Sequence, residues 1–590
     1  MTWRDMMCGD PRPTNVGERL TLSGWVNTRR DHGGLVFVDL RDRAGICQVV
    51  VNPERSAEAA TLAHQLRNEF VVRVSGELVP RDPEAVNPDI PTGEVELQAD
   101  TLEIVSRSTP LPFQLDEEGV DETLRLRYRW LDLRRPKMQR MIRTRAKLVG
   151  TIRRIMEEAG FLDIQTPILF KPTPEGARDF VVPSRLRKGR FFALPQSPQI
   201  LKQLLVISGF DRYYQIAICF RDEDLRADRV QEITQLDVEL AFPDQEDLFA
   251  LMERMIQAVW QACGDIDIAA PFERLTYADA QLHYGSDKPD LRFGLEIQDA
   301  TEVTRGSEFG VFGKAPCVRY LTIPGALSRG ELAKLEERAK EHGAKGLAYL
   351  VFDDADEPRS PITKFLSAEE IDAVRPSEPS TVIFGADEPG AVARVLGQLR
   401  LHLGAELGLI DADAFRFVWI TEFPLLDWDA DAERWNAMHH PFTRPTAETE
   451  GRLASAPGEA LADAYDLVVN GIEIGGGSFR IHEPDLQERV FAALQLSPKE
   501  QRSKFGFLLD ALAMGAPPHG GIAFGIERML MALEGEPNLR DVIAFPKNQS
   551  GVDPMSGAPA LIEDAQFEEL GIKLHSDTAA ALEAEQSDST

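Results

Sequence analysis

Alternation of apolar and polar positions dominates residues 20–105. The runs TLSGWVNT, LVFVDLRD, CQVVV, VVRVSGEL and EVELQADTLEIV each read as a short strand, and Gly, Pro and Asp turns separate them. Five strands in fewer than about 100 residues predict a small β-domain. An oligonucleotide-binding barrel satisfies the spacing, and another small β-fold would satisfy it equally. STPLPFQLDEEG, which follows, reads as a linker.

From Gln139 to Ala159 the period lengthens. Apolar residues recur at Met141, Ile142, Ala146, Leu148, Val149, Ile152, Ile155, Met156 and Ala159, the spacing of a helix that Gly160 can end. FLDIQTPIL reads as a strand ending near Pro167, and Phe191 to Leu194, Tyr213 to Phe220 and Thr234 to Leu240 read as further strands. The pattern predicts helices flanking a mainly antiparallel sheet. Between residues 288 and 415, strands VRYLTI and LAYLVF mix with helices ELAKLEERAKEHG and PGAVARVLGQLRLHLGAEL, predicting an inserted α+β domain. Sheet patterning returns at FRFVWITEF, and the small, acidic DTAAALEAEQSDST predicts a mobile tail.

Composition changes this picture in three ways. A chain of 590 residues exceeds one hydrophobic core, so several domains follow. The formal net charge of −31 opposes a nucleic-acid partner globally. Yet RLRYRWLDLRRPKMQRMIRTRAK, Arg125 to Lys147, holds ten Lys or Arg and one acid, Asp132. That stretch is either a polyanion site or a helix face satisfied by ion pairs. The five cysteines form no CxxC pair, which argues against zinc ribbons and disulfides and predicts a cytoplasmic setting. Neither a signal-peptide pattern nor a run of about 18 apolar residues occurs, so no membrane association is expected.

Three segments concentrate the chemistry: GFLDIQTPIL at 160–169, CFRDEDLRADR at 219–229 leading into QEITQLDVE, and GIAFGIERML at 521–530. No GxxxxGK[ST] or GxGxxG loop is present, so any phosphate must be held by side chains and metal. In this order the segments resemble the three signatures of class II aminoacyl-tRNA synthetases. TPEGARDF, ALPQSPQ, GSDKPDLRFGLE, MHHPFT, EIGGGSFRIH and APPHGGIAFG resemble the bacterial aspartyl-tRNA synthetase branch over nearly the whole chain.

The resemblance implies a fold and a partition. Residues 1–107 would form an OB-fold anticodon-binding barrel, 108–138 a hinge, and 139–287 with 416–565 a class II antiparallel-sheet catalytic domain. Residues 288–415 would be the bacterial-type inserted α+β domain and 566–590 a C-terminal extension. A homodimer is implied as well, with Pro167 at the subunit contact.

The implied activity uses ATP and Mg²⁺ to activate L-aspartate and transfers it to the 3′ end of tRNA(Asp). Arg221 and Arg528 are the implied catalytic arginines. Arg221, Asp222, Glu223, Glu473, Gly525, Ile526, Glu527 and Arg528 are the implied ATP residues, with Asp466 and Glu473 for the metal. Arg480 and Lys202 would face the aspartate side-chain carboxylate, and Asp237 and Glu175 its ammonium. Ser197, Gln199, Arg221 and His439 would complete that pocket. An arginine suits an α-phosphorus under attack because a fixed guanidinium offsets the charge that impedes approach. Arg480 also disfavours an asparaginyl or lysyl relative, since it matches a carboxylate rather than an amide or ammonium. Retention of the arginines and acids speaks against an inactive RNA-binding relative.

In the barrel, Phe37 and Gln48 match residues that stack on and hydrogen-bond the central anticodon base, and Glu94 one facing the wobble base. His32, in RRDHGG, leans towards acceptance of tRNA(Asn) as well, although RDPEAVNPD lacks the glycine that usually accompanies this. One departure stands out: the family commonly reads RADRQPEFTQ, whereas this chain has RADRVQEITQ, placing Val230 where a glutamine often touches the nucleotide.

Overall fold

The computed structural model describes residues 3–172, 176–353 and 357–588, with side chains through residue 582. The chain divides into two compact units, one built from the residues up to Arg125 together with Trp130–Gln139, the other from Leu126–Arg129 and the residues from Arg140 onward.

In the first unit, β1 (Arg19–His32), β2 (Leu35–Asp42), β3 (Gly45–Val51), β4 (Val71–Pro80) and β5 (Val95–Ser106) close a barrel in the order β1-β2-β3-β5-β4. Strict alternation explains it. Leu20, Leu22 and Val26 of β1, and Val36, Val38 and Leu40 of β2, point into one core with Val72, Val74, Leu97 and Ala99. The intervening residues of each strand, Phe37 and Asp39 among them, take the outer face.

The second unit is organised by an eight-stranded sheet. Helix α1 (Pro136–Glu158) leads into the short edge strand β6 (Leu162–Asp163). Then come helix α2 (Gln199–Ile207), β7 (Arg212–Phe220), β8 (Glu232–Ala241), helix α3 (Gln245–Gly264) and β9 (Glu273–Thr276). Residues 298–406 contribute β10 (Gln298–Asp299), β11 (Cys317–Pro324), β12 (Ala348–Phe352), β13 (Ser380–Asp387) and helix α4 (Pro389–Glu406). The main sheet resumes with β14 (Phe417–Thr421), β15 (Ala464–Val469), β16 (Ile472–Phe479) and β17 (His519–Gly525), which runs into helix α5 (Ile526–Glu534).

The sheet order is β9-β14-β15-β16-β17-β8-β7-β6. Its six central strands are antiparallel, and parallel pairs, β9 with β14 and β6 with β7, close both edges. Leu148, Ile152 and Met156 of α1, Phe249, Met252 and Trp260 of α3, and Ile526 and Met529 of α5 bury one sheet face. A separate four-stranded sheet, β10-β11-β13-β12, packs Leu321, Ile323 and Ile383 against Leu335 and against Leu396, Leu399 and Leu403 of α4.

Two expectations need correction. FLDIQTPIL pairs only at Leu162–Asp163 and then leaves the sheet, leaving Ile168 and Leu169 exposed. Its apolar run imitates a buried strand, but Pro167 cannot donate to a ladder. The strand at Phe191–Ala193 belongs to a hairpin with Val181–Pro183, outside the main sheet.

Candidate active site

Strands β7, β8, β16 and β17 lie side by side at the middle of the sheet, and β8, β16 and β17 line a cavity of about 520 Å³. The period-2 rule sorts β8: Leu236 and Val238 enter the core, while Gln235 and Asp237 line the cavity. Small residues on the neighbours keep it open. Asp237 is paired across the ladder with Ala523, and Glu239 with Gly521, where an added Cβ would stand 2.3 Å from the Glu239 carboxylate.

Four charges form the deepest part. Lys202 Nζ donates to Asp237 at 3.0 Å and lies 3.5 Å from Glu239. Arg480 grips Glu239 with two bonds, Nε to Oε1 at 2.9 Å and NH2 to Oε2 at 3.0 Å, and donates to His440 Nε2 at 2.7 Å and to Ser478. All four charged groups are at most 1% exposed. Burial raises the Asp237 carboxyl above its usual range even with Lys202 beside it. Burial also opposes ionisation of Glu239, but Arg480 and Lys202 together hold it below its usual range.

His440, driven well below its usual range by burial and by Arg480, is neutral and accepts from that guanidinium. Burial lowers His439 to about 4, with Arg480 adding to the effect. Three buried atoms lining the cavity, Asp237 Oδ2, Gln199 Nε2 and His439 Nε2, have no hydrogen-bond partner among the described residues. Such atoms are costly unless something fills the site.

The loop from Arg221 to Gln231 joins β7 to β8, closed at its base by Arg221 N donating to Gln231 O at 2.9 Å. The Arg221 guanidinium lines the cavity and makes no side-chain hydrogen bond or ion pair among the described residues. Glu223 pairs with Arg229 at 3.2 Å. At the opposite wall Arg528 lies 3.5 Å from the Glu473 carboxylate and donates to its carbonyl at 3.2 Å, while Lys288 holds that carboxylate at 2.8 Å.

Burial and the neighbouring Glu473 push the Asp466 carboxyl well above its usual range. Against the pull of burial, Lys288 and Arg528 keep Glu473 below its own. The two acids meet over Gly476, where a Cβ would stand 2.6 Å from Asp466 Oδ1 and 3.8 Å from Glu473 Oε1. Among the described residues no group of three His, Cys, Asp or Glu side chains could hold a metal alone. A pair of acids beside open space does suit a hard cation that completes its shell with water and phosphate oxygens.

The cavity thus gathers Ser197, Gln199, Lys202, Arg221, Glu223, Asp237, His439, Asp466, Glu473, Arg480, Gly525, Glu527 and Arg528 from distant parts of the chain. Asp222 does not line it, and Ile526 turns into the hydrophobic core. Glu175 lies outside the described residues. Glu239 and His440 escaped the sequence reading. The signal for Glu239 was an acid two residues after Asp237 in a strand, on the same face and needing a cation.

Val230 lines the cavity and packs towards Met141, Leu530 and Val542, while Gln231 turns towards Gly551. Most of the basic run is spent internally. Arg129 donates to the carbonyls of Arg540, Ile543 and Ala544, Arg145 pairs with Glu527, Arg140 with Glu534 and Arg134 with Glu69. The ion-pair alternative therefore accounts for Arg134, Arg140 and Arg145, while Arg129 is spent on backbone carbonyls.

On the barrel, His32, Phe37 and Gln48 line a second cavity of about 370 Å³ with Arg30 and Asp39. His32 meets Phe37 edge to face at 6.1 Å, and Gln48 donates to Glu96 at 2.9 Å. Glu94 is exposed just before β5 and does not line this cavity.

Comparison with known proteins identifies the family of both parts of the chain. Residues 121–549 match the family described as tRNA synthetases class II (D, K and N), and residues 20–105 match the OB-fold nucleic acid binding domain. The aspartate–tRNA(Asp/Asn) ligase of Syntrophomonas wolfei is 49% identical, covering 95% of this chain and 97% of its own. The aspartate–tRNA ligase of Geobacillus kaustophilus is 50% identical, covering 96% and 98%. The asparaginyl-tRNA synthetase of Pyrococcus horikoshii, at 19% identity, shares the fold with a TM-score of 0.59 over 92% of this chain and 97% of its own. No described helix is long and apolar enough to cross a membrane. The chain belongs to the class II tRNA synthetases and, among them, to the bacterial aspartate–tRNA ligases.

Proposed function

We propose that the large cavity joins L-aspartate to AMP and then to the 3′ end of tRNA(Asp), with ATP as the energy source. The observation that carries this reading is the arrangement of charge. Buried cations and unpartnered polar atoms lie on one side with Arg221 near Asp237, and two acids with Arg528 and Lys288 form the opposite wall.

The aspartate side-chain carboxylate would lie against Arg480 and Lys202, whose orientation Glu239 fixes. Its ammonium would take the open Asp237 Oδ2, and Gln199 Nε2 would donate to a carboxylate oxygen. Arg221 would then face the α-phosphate as the substrate α-carboxylate attacks phosphorus and pyrophosphate departs. Arg528 would take the far phosphates. Transfer follows when the terminal 3′-hydroxyl of the tRNA attacks the activated carbonyl and releases AMP.

Asp466 and Glu473 would hold Mg²⁺, which supplies neutralisation of phosphate charge when bound. The exposed apolar side chains of Ile168, Leu169, Phe191 and Phe192 support a homodimer contact in this region, as a patch left bare on a monomer would. Phe37, Gln48 and His32 would read the anticodon, with Glu94 at its edge, and His32 supports charging of tRNA(Asn) alongside tRNA(Asp).

The deciding experiment is ATP–pyrophosphate exchange with purified protein and aspartate, asparagine or lysine in turn. Exchange with aspartate alone is expected. Equal exchange with asparagine would overturn the assignment of the Arg480 end.

A further inference from the structure

Segment 284–295 is held from two sides. On one side it meets the turn joining β15 to β16, where a Cβ on Gly471 would lie 3.6 Å from Asp290 Cβ and 3.8 Å from the Lys288 carbonyl. On the other it meets helix α4. Gly397 approaches so closely that an added Cβ would stand 2.8 Å from Gly285 O and 2.9 Å from Tyr284 O. A Cβ on Gly404 would meet the Phe293 ring at 2.5 Å.

Between these glycines Arg400, 1% exposed, donates NH2 to the carbonyls of Asp290 at 3.0 Å, Phe293 at 2.8 Å and Gly294 at 2.9 Å, and Nε to Leu295 at 3.1 Å. Its guanidinium lies 4.0 Å from the Phe293 ring centroid and 4.9 Å from that of Tyr284. No carboxylate makes a direct ion pair with Arg400 among the described residues; Asp290 and Glu296 act on it only through longer-range attraction.

Gly397, Arg400 and Gly404 are three and four residues apart, so one helix stripe carries the whole grip. A buried guanidinium with no acid in direct contact is an expensive anchor. What it supplies, and an apolar side chain would not, is a planar fork of directed donors. The turn it holds needs them, because Leu295 sits at φ 61, a left-handed conformation that persists only where the surroundings enforce it. The product of this bracing is Lys288, delivered to the cavity wall at 2.8 Å from Glu473.

We propose that Arg400 and the glycine stripe of α4 position Lys288 in the catalytic cavity, so that residues far along the chain set the affinity of the site for ATP. Arg400 is a positioning residue, and Lys288 is the group that meets the nucleotide end of the cavity by neutralising Glu473. The inference rests on the aspartate-activating reading of that cavity.

The test uses the full-length chain, with aspartate-dependent exchange and calorimetric titration with ATP. Arg400→Gln is expected to raise the KM for ATP and weaken ATP binding at least tenfold, with the aspartate KM changed less than twofold. Lys288→Ala should give the same profile, and the double variant should be no more than twofold worse than Lys288→Ala alone. Multiplying effects, or parallel rises in both KM values, would overturn the proposal. Gly404→Ala moves Phe293 without deleting a buried charge and should weaken ATP binding at least threefold. Unchanged ATP binding in it overturns the proposal even where Arg400→Gln fails to fold. Wild-type protein inactive with aspartate would sink the functional reading, whereas active wild type with silent variants would sink only the positioning role.

Discussion

The catalytic cavity and the groove on the barrel are both lined by charged, polar and aromatic side chains, but they spend them differently. In the cavity Lys202, Asp237, Glu239 and Arg480 are withdrawn from water and bonded to one another. On the barrel His32 and Arg30 are exposed and Phe37 is half-buried. Coulomb interactions grow as the surroundings lose water, so the buried set acts as a unit whose parts cannot be removed singly. The barrel face offers stacking and edge contacts that act almost separately. Damage should therefore be steep and shared in the cavity, shallow and divisible on the barrel.

The steepest loss is expected for Arg480→Leu, which leaves Glu239 with Lys202 alone and removes one of the two cations proposed for the substrate carboxylate. Aspartate use should fall by about 2–5 kcal/mol, with ATP affinity nearly kept. Steady-state exchange kinetics separate the two, and equal losses for both substrates would indicate misfolding. Arg221→Ala should cost adenylate formation on the order of 3–4 kcal/mol while tRNA binding, followed by filter retention, persists. An unaltered exchange rate would remove Arg221 from the mechanism.

A pH prediction has the opposite character, because it needs no substrate. Native His439 resists protonation down to about 4, whereas an unfolded histidine protonates near 6.5. Between those values the unfolded chain binds more protons, so stability falls as pH drops through the window, by about 3 kcal/mol from this residue. Urea midpoints at pH 7 and pH 5 should move closer together in His439→Gln. An unchanged gap would show that His439 is not the titrating group.

On the barrel, Phe37→Ala should weaken tRNA binding by about 1–3 kcal/mol and leave exchange without tRNA untouched. A drop in exchange would mean that the two units do not divide the work as proposed. The smallest effect concerns His32: kcat/KM for aspartylating tRNA(Asn) should lie within about tenfold of that for tRNA(Asp), near 1.4 kcal/mol. A deficit of about a hundredfold would show strict reading of the third anticodon base.

Much of the architecture was legible because it follows from periodicity. The alternation in LVFVDLRD or VVRVSGEL already assigns each side chain of the barrel to core or surface, and the spacing from Met141 to Met156 assigns a helix face. The apolar run FLDIQTPIL misled for the same reason, since it is apolar without being sheet. Motif order gave Arg221, Asp237, Asp466 and Arg480, each carried by a recognisable local string.

What the sequence by itself determined, then, is most of the elements, the family, and many but not all of the charged side chains that line the cavity. Only the tertiary structure decided which charges neutralise which. Glu239 meets Arg480 from 241 positions away, and Arg400 reaches the carbonyls of Asp290 and Phe293 across 110 and 107. Periodicity is a property of neighbours in the chain, whereas a buried charge is satisfied by whichever group the fold brings within about 3 Å. Nothing local in the sequence encodes that partner.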